Sequence, residues 1–400
     1  MSIVLQKITC DTVGAHCVRP LLIQRYIIIN FPTNSNFIKP CKLTTLDLYG
    51  KIPLERGDFM LSFESDYIIG AHEKVLNALI KTNNEIMSGY GNDPHTKRAK
   101  ELIKSACDSQ DSEVFFLTGG TQANQVVIST MLKGFEGVIS AKTGHIALHE
   151  VGAIEFTGHK VLELPQYEGK IAAGDVRNYL EGFYADENNS MMVVPKMIYI
   201  SHPTEYGTLY TKSELENLRS ICDTYGMKLF LDGARLGYGL MSKETDVTLP
   251  DIARLCHVFY IGGTKVGALC GEAVVFAKGE APERFLSQTK QHGAMLAKGR
   301  LTGVQFEALF EDGLYFEISK NAIDRAEEIK TLFSSRGYEF YLNSPTNQQF
   351  VILNDEQMAK ISEKCRFGFW EKLPDGRTVV RFATSFATTK SDIEELAKII

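Results

Sequence analysis

No stretch of this 400-residue chain approaches the roughly 18 uninterrupted apolar residues that a bilayer-spanning helix needs, so no membrane span is expected. The early run Tyr26-Ile-Ile-Ile-Asn30-Phe31 is short and follows Arg25, and no small-residue cleavage site trails it. A secretory leader is therefore not expected either. A Gly-x-Ser-x-Gly elbow is missing, which removes the usual serine-hydrolase signature. No Gly-Lys-Ser/Thr follows a glycine-rich loop, which excludes a nucleotide P-loop. The eight cysteines (Cys10, Cys17, Cys41, Cys107, Cys222, Cys256, Cys270 and Cys365) contain no Cys-x-x-Cys pair. A chain of this length needs no disulfide staples, so reduced thiols in a cytoplasmic protein are expected. His145 and His149 would share a face if helical, but no third ligand lies near them in sequence, and no metal site is expected. Basic charge is not in excess: 43 Lys and Arg stand against 49 Asp and Glu, a net −6, which argues against nucleic acid or an anionic membrane as partner.

What is present is an ordinary globular composition, 44% hydrophobic and 23% charged, in a chain long enough for two domains. Residues 1–58 lack sustained helical periodicity and are interrupted by Pro20, Pro32, Pro40 and Pro53. They read as an irregular extension: a disordered arm, sequence upstream of the true start, or an arm that packs on a partner subunit. From residue 59 to about 311 helical and buried-strand patterns alternate. Helical spacing runs from Glu73 to Lys81, Asp93 to Cys107, Thr121 to Lys133 and Thr211 to Tyr225, the last with Thr211 or Ser213 as N-cap. Strand patterns cover Glu113 to Leu117, Gly137 to Ser140, Met197 to Ile200 and the runs that end at Asp232 and near Gly263. This alternation predicts an α/β fold with a mainly parallel sheet covered by helices. Residues 312–400 hold a long amphipathic helix from Glu317 to Arg336. Strand-like segments follow (Tyr338 to Leu342, Phe350 to Leu353, Thr378 to Phe382), then a last helix from about Lys390. Together they suggest a smaller α+β domain.

Two segments carry most of the chemical information: Met227-Lys-Leu-Phe-Leu-Asp232-Gly-Ala-Arg235 and His257-Val-Phe-Tyr-Ile-Gly-Gly-Thr264-Lys265-Val-Gly267. Each is an apolar run that stops at polar residues beside glycine, as a buried strand does when it delivers a side chain to the rim of a sheet. One rim carries an acid and the other a lysine. A pyridine cofactor that must be protonated at its ring nitrogen and bonded through an imine to an amine needs both, so the pair suggests pyridoxal phosphate. A buried Asp232 requires a partner, either Arg235 in a structural pair or a pyridinium N–H. Leu117-Thr-Gly119-Gly120-Thr121-Gln122-Ala-Asn124 joins a strand to a helix, where two glycines let an anion approach N–H groups at the positive helix end. His145 follows a strand and could stack on a flat ring and move protons near neutral pH. These features occur in the order phosphate loop, histidine, aspartate, lysine, all at strand ends, which is where open α/β sheets bind ligands.

On these residues the chain from about 60 to 400 resembles the low-specificity L-threonine aldolase group of fold-type-I pyridoxal-phosphate enzymes, also filed as beta-eliminating lyases. The matching stretches are Ser65-Asp66, Tyr90-Gly91-Asn92-Asp93-Pro94, Thr118 to Asn124, His145, Leu231 to Arg235, Gly262 to Lys265, Gly299-Arg300 and Arg381. The resemblance implies a large cofactor-binding domain with a small C-terminal domain. It implies that Lys265 bonds the cofactor, Asp232 binds the pyridine nitrogen beside Arg235, and Gly119, Gly120, Thr121 and Gln122 cradle the phosphate. Arg300 and Tyr90 would reach the phosphate of a neighbouring subunit in a homodimer or homotetramer whose sites lie at the interface. His145 would stack on the ring and transfer protons, while Ser65, Arg235 and Arg381 hold the substrate carboxylate. The implied reaction is retro-aldol cleavage of L-threonine, L-allo-threonine or a related β-hydroxy amino acid to glycine and an aldehyde. The alternatives are β-elimination or aminotransfer on the same scaffold, or a non-catalytic binding protein. One departure stands out: where the group commonly has Glu-Asn-Thr-His, this chain has His202-Pro203-Thr204-Glu205, which puts Glu205 near the substrate in place of a second histidine.

Overall fold

Seven strands build the larger sheet of the computed structural model, which describes residues 60–400; the expectations for residues 1–58 lie outside the described residues. Twelve strands are described: β1 (Leu61–Phe63), β2 (Glu113–Leu117), β3 (Glu136–Ala141), β4 (Val161–Leu164), β5 (Val194–Ser201), β6 (Lys228–Asp232), β7 (Val258–Gly262), β8 (Glu272–Phe276), β9 (Glu339–Phe340), β10 (Gln348–Leu353), β11 (Cys365–Lys372) and β12 (Thr378–Ala383). The larger sheet has the order β2-β8-β7-β6-β5-β3-β4. Every neighbouring pair from β7 to β4 is parallel, while β8 runs antiparallel to both β7 and β2.

The sequence dictates the centre of this sheet. A parallel strand covered on both faces must be apolar on both, hence unbroken runs such as Leu229-Phe-Leu231 and Val258-Phe-Tyr-Ile261. Leu229 and Leu231 enter one apolar cluster and Phe230 the other, and Phe259 and Val258 divide in the same way. Helices seal the two faces. Lys212–Tyr225 starts at Thr211 in a capping box with Glu214 and stops at Gly226, whose φ of 60° closes the last turn. Of the two N-caps the sequence allows, Thr211 is the one used.

The second sheet has the order β1-β11-β12-β10-β9. Only β1–β11 is parallel. The described chain thus begins in this sheet, and the residues just after β1, Ser65 and Asp66, leave it toward the larger one. Helix Leu314–Ser335 packs on both β10 and the short helix Leu236–Leu240 that follows β6. Several elements go beyond the sequence expectation: β4, β8, β11 and the helices Ala173–Ala185 and Arg300–Phe310. Conversely, the strand expected from Tyr338 to Leu342 shrinks to two residues, Glu339 and Phe340, which pair in register with Ile352 and Val351 of β10, while Tyr341 adds a single N–H bond to Phe350 O.

Candidate active site

Strand direction brings the site together. The C-terminal ends of β2, β3, β5, β6 and β7 lie along one edge, and the reversal of β8 sets its first residue, Glu272, on that same edge. A cavity of roughly 300 Å³ opens there. Gly119, Gly120, Thr121, His145, Glu205, Asp232, Arg235 and Lys265 all line it. Residues up to 146 positions apart are thereby convergent on one small volume.

Asp232 is 4% exposed and bears on the cavity without a cationic side chain bonded to it. Its Oδ2 accepts from the Tyr199 hydroxyl at 2.5 Å and from Asn124 Nδ2 at 3.2 Å, and its Oδ1 from the Ala234 N–H at 3.0 Å. Burial works to raise this carboxyl, but the charge of His145 and the hydroxyl and N–H donors outweigh it and keep the pKa below the ordinary value. Asp232 is therefore a buried anion near neutral pH.

A closed ring of hydrogen bonds runs outward from it. Asn124 Nδ2 also donates to Glu150 Oε1 at 2.8 Å, and that oxygen meets His145 Nδ1 at 2.9 Å. The His145 backbone N–H donates to Glu205 Oε1 at 2.8 Å, and Ser201 Oγ donates to the same oxygen at 2.6 Å. Ser201 Oγ lies 3.5 Å from the Tyr199 hydroxyl, which returns the path to Asp232. Burial raises the Glu205 carboxyl, against the donors that favour its anion. With Nδ1 engaged by Glu150, His145 keeps Nε2 for other partners.

Lys265 occupies the turn between β7 and β8. Thr264 and Gly263 both donate backbone N–H to Gly271 O, and Gly267 sits at φ 89°, where a Cβ would come within 2.7 Å of Ile318 Cδ1. The lysine thus needs a glycine two residues on for its turn to close. Burial, and after it the charge of Arg235, pulls the Lys265 amine down to about 8, against the pull of Asp66, Asp232 and Glu272. Arg235 forks onto Asp66, with Nε–Oδ2 at 2.7 Å and Nη2–Oδ1 at 3.0 Å. Of the two partners open to Asp232 from sequence, Arg235 is thus committed elsewhere. Burial opposes ionisation of Asp66, yet the charges of Arg235 and Lys265 and the bonds from Arg235 and Asn347 hold it at about 2.

The corner expected from sequence to cradle a phosphate is the start of helix Gly120–Met131. Its first turn carries no side-chain cap, so its leading N–H groups are free of the usual capping oxygen at the cavity wall. A Cβ at Gly120 would lie 2.9 Å from the Tyr260 hydroxyl, so only glycine lets the backbone pass this close. The Gln122 side chain turns back: its Oε1 accepts from Thr118 N and Oγ1 at 3.1 and 2.8 Å.

Gln122 and four further residues named from sequence do not line the cavity. Ser65 and Arg381 lie beside it, joined through the segment after β1: Arg381 Nη2 donates to Glu64 O at 3.2 Å and Nη1 to Gln348 Oε1 at 3.0 Å. Ser65 Oγ and Arg381 Nε are buried without any hydrogen-bond partner. Arg300 instead donates to the carbonyls of Glu85 and Asn83, both at 2.9 Å, and Tyr90 is half exposed at φ 57° beneath the ammonium of Lys290. Sequence reasoning gave no role to Tyr199, Asn124, Glu150, Asp66 and Glu272, although Asp66 and Asn124 lie in matched stretches. Tyr199 had a readable signal, as the polar-capable residue of an apolar run that ends at this edge. The others depend on contacts between distant segments. Among the described residues, no group of three or more His, Cys, Asp or Glu side chains has metal-binding geometry.

The chain is 39% identical to a threonine aldolase of Leishmania major of known structure, with a TM-score of 0.82 over 84% of this chain and 98% of that one. It is 28% identical to a low specificity L-threonine aldolase of a Pseudomonas species over 84% of this chain and 95% of the relative. An aspartate aminotransferase of Thermus thermophilus, 15% identical, shares the fold at a TM-score of 0.62, over 86% of this chain and 91% of that one. The beta-eliminating lyase family model matches residues 63–355, and the chain belongs to that family.

Proposed function

We propose that this protein is a pyridoxal-phosphate-dependent lyase that cleaves L-threonine, L-allo-threonine or a related β-hydroxy amino acid to glycine and an aldehyde. One observation carries the reading: a lysine amine lowered to about 8 and a buried aspartate anion stand at the ends of adjacent parallel strands, beside an uncapped helix N-terminus, in one cavity. The names of the Leishmania and Pseudomonas relatives support the reaction.

The residues fit the cofactor. The N–H groups of Gly120, Thr121 and Gln122 suit its phosphate, Asp232 its ring nitrogen and Lys265 its aldehyde carbon. When bound, it supplies an electron-accepting ring. The rest is this chain's work. Lys265 is nucleophilic because burial lowers its amine to about 8, which leaves far more of it unprotonated near neutral pH than an ordinary lysine keeps. Ser65 Oγ and Arg381 Nε, both buried and unpartnered, are suited to an incoming substrate carboxylate, and Arg235 Nη1 adds a third donor beside its fork on Asp66. Orienting that carboxylate selects which bond at the α-carbon breaks. His145 Nε2 and Glu205 flank the cavity as the groups able to take the β-hydroxyl proton, and the ring of bonds through Ser201 and Glu150 fixes both. Arg300 and Tyr90, away from this cavity, would complete the site of a second copy in a homodimer or tetramer of dimers. Five described cysteines are free and suit a reducing cytoplasm.

The test is an aldehyde-release assay on both threonine diastereomers and phenylserine, with glycine quantified. Borohydride trapping should place the cofactor on Lys265, and Lys265→Ala should abolish both signals. Pyruvate and ammonia from serine, or turnover that requires a keto acid, would sink the aldol reading in favour of β-elimination or aminotransfer.

A further inference from the structure

Gln348 has no role in the reading above, yet it holds one of that reading's arginines. It opens β10, every residue of which is buried, and is itself 0% exposed. Its Oε1 accepts from Arg381 Nη1 at 3.0 Å. The register explains the contact. Phe350 of β10 lies opposite Arg381 of β12, so Gln348, two residues earlier, reaches Arg381 diagonally on the same face. An arginine can only donate, so the amide oxygen must face it and the NH2 group is left over. That nitrogen is buried and has no hydrogen-bond partner, like Ser65 Oγ and Arg381 Nε.

The other holds on Arg381 are also neutral. Nη2 donates to the Glu64 carbonyl at 3.2 Å. On its flat side the guanidinium meets Trp370, the only tryptophan of the chain, with Cζ 5.8 Å from the ring centre. Phe350 and Tyr206 brace that ring, at 4.9 and 5.3 Å between centroids. Arg235 is treated differently. It forks onto the Asp66 carboxylate at 2.7 and 3.0 Å, and Asn347 Nδ2 steadies that carboxylate at 2.9 Å. Asp66 also acts on the charge of Arg381, but both its oxygens are already bonded. Adjacent residues thus serve the two arginines in opposite ways. Asn347 supports the anion that neutralises Arg235, while Gln348 grips Arg381 and leaves its charge standing. A cation held by neutral acceptors alone in a largely buried place is costly, and an arriving anion offsets that cost.

We propose that Gln348 is a positioning residue for substrate recognition: its carbonyl oxygen fixes the Arg381 guanidinium, and its neutrality reserves that guanidinium's charge for the substrate carboxylate. This rests on the reading of the Ser65–Arg381 corner as the carboxylate site. A glutamate of the same shape at position 348 would put a carboxylate where the amide oxygen now sits and pair with Arg381 permanently. The choice of amide over acid thus sets how tightly an amino acid is held.

The test measures binding rather than turnover. The full-length protein loaded with pyridoxal phosphate is titrated with glycine and with glycinamide, which lacks the carboxylate, and cofactor absorbance gives each Kd. Gln348→Glu should weaken glycine by about tenfold or more and leave glycinamide within about twofold. Gln348→Met removes both the grip and the spare donor without adding charge. It should weaken glycine about three- to fivefold, again sparing glycinamide. Unchanged glycine binding in Gln348→Glu overturns the proposal, as does a loss no larger than that of Gln348→Met, or an equal loss for both ligands. If Gln348→Glu does not fold, Gln348→Met decides alone: a loss selective for glycine supports the proposal, and any other pattern overturns it. An unsubstituted protein with no preference for glycine over glycinamide would instead overturn the reading of the corner, and the proposal with it.

Discussion

The Asp232 wall and the Ser65–Arg381 corner are both buried and polar, but they differ in how far their hydrogen-bonding capacity is used. Both oxygens of Asp232 accept from the protein, and its neighbours close into a ring through Asn124, Glu150, His145, Glu205, Ser201 and Tyr199. In the ring the buried atoms without a partner are acceptors, Asn124 Oδ1 and Glu150 Oε2, whereas in the corner the donors Ser65 Oγ and Arg381 Nε have none. A buried group left unsatisfied costs roughly 1–3 kcal/mol, so a fold keeps one where a ligand comes and goes. A wall with its buried donors saturated suits a group that stays; a corner with donors to spare suits an anion that leaves each cycle.

Asp66 ties the two regions together, and removing it should have the largest effect. Asp66→Asn breaks the buried fork to Arg235 and should destabilise the protein by about 3–5 kcal/mol in denaturant titration. A pH series sharpens this. The folded pKa of Asp66, about 2, lies below the ordinary 3.8, so its stabilisation is complete above pH 4 and is lost as pH falls through about 2. The variant should lack that part of the acid loss, and an identical acid profile would break the assignment.

Asp232→Asn tests the saturated wall. The amide cannot accept as the anion does, and kcat should fall by about 10²–10³ with little change in KM for the amino acid. A change confined to KM would make Asp232 part of the substrate corner instead. Arg381→Lys tests the corner by replacing a planar fork with a point charge. Loss of one charged hydrogen bond, about 1.5–3 kcal/mol, should lower kcat/KM roughly 10- to 10²-fold, mainly through KM, with cofactor absorbance unchanged. Ser65→Ala should have the smallest effect on activity, a rise in KM of about 3- to 10-fold, with the stability of the ligand-free protein held or raised by up to about 1–3 kcal/mol, because the hydroxyl has no partner to lose. A clear loss of stability in Ser65→Ala would mean that the corner is not waiting for a ligand.

Much of this site was legible in sequence because strand ends are. The runs that stop at Asp232 and Gly262 are apolar on both faces, and the polar residues after them have to emerge at the sheet's edge. Glu272 escaped for the opposite reason: it begins a strand, and only the reversal of β8, which sequence does not announce, brings a strand's first residue to that edge. Asp66 and Arg235 were both visible as matched motifs, but 169 positions separate them and nothing local says that they pair. Helix Ala173–Ala185 went unread because Gly174 and Gly182 weaken its intrinsic preference, although its buried Val176, Leu180 and Phe183 do recur at helical spacing. The helix exists because it packs against its neighbour Lys212–Tyr225, not because its sequence insists on it.

The reversal of β8 has one more effect, on the freedom of Lys265. A lysine after a strand of an all-parallel sheet would be anchored on one side and continue into a long crossover. Here β7 returns at once as β8, so the lysine rides at the tip of a hairpin whose stems are laced together at Gly263, Thr264 and Gly271. These bonds confine its backbone without help from any bound group. The side chain alone has to choose a conformation, which makes the lysine less a flexible tether than a fixed socket.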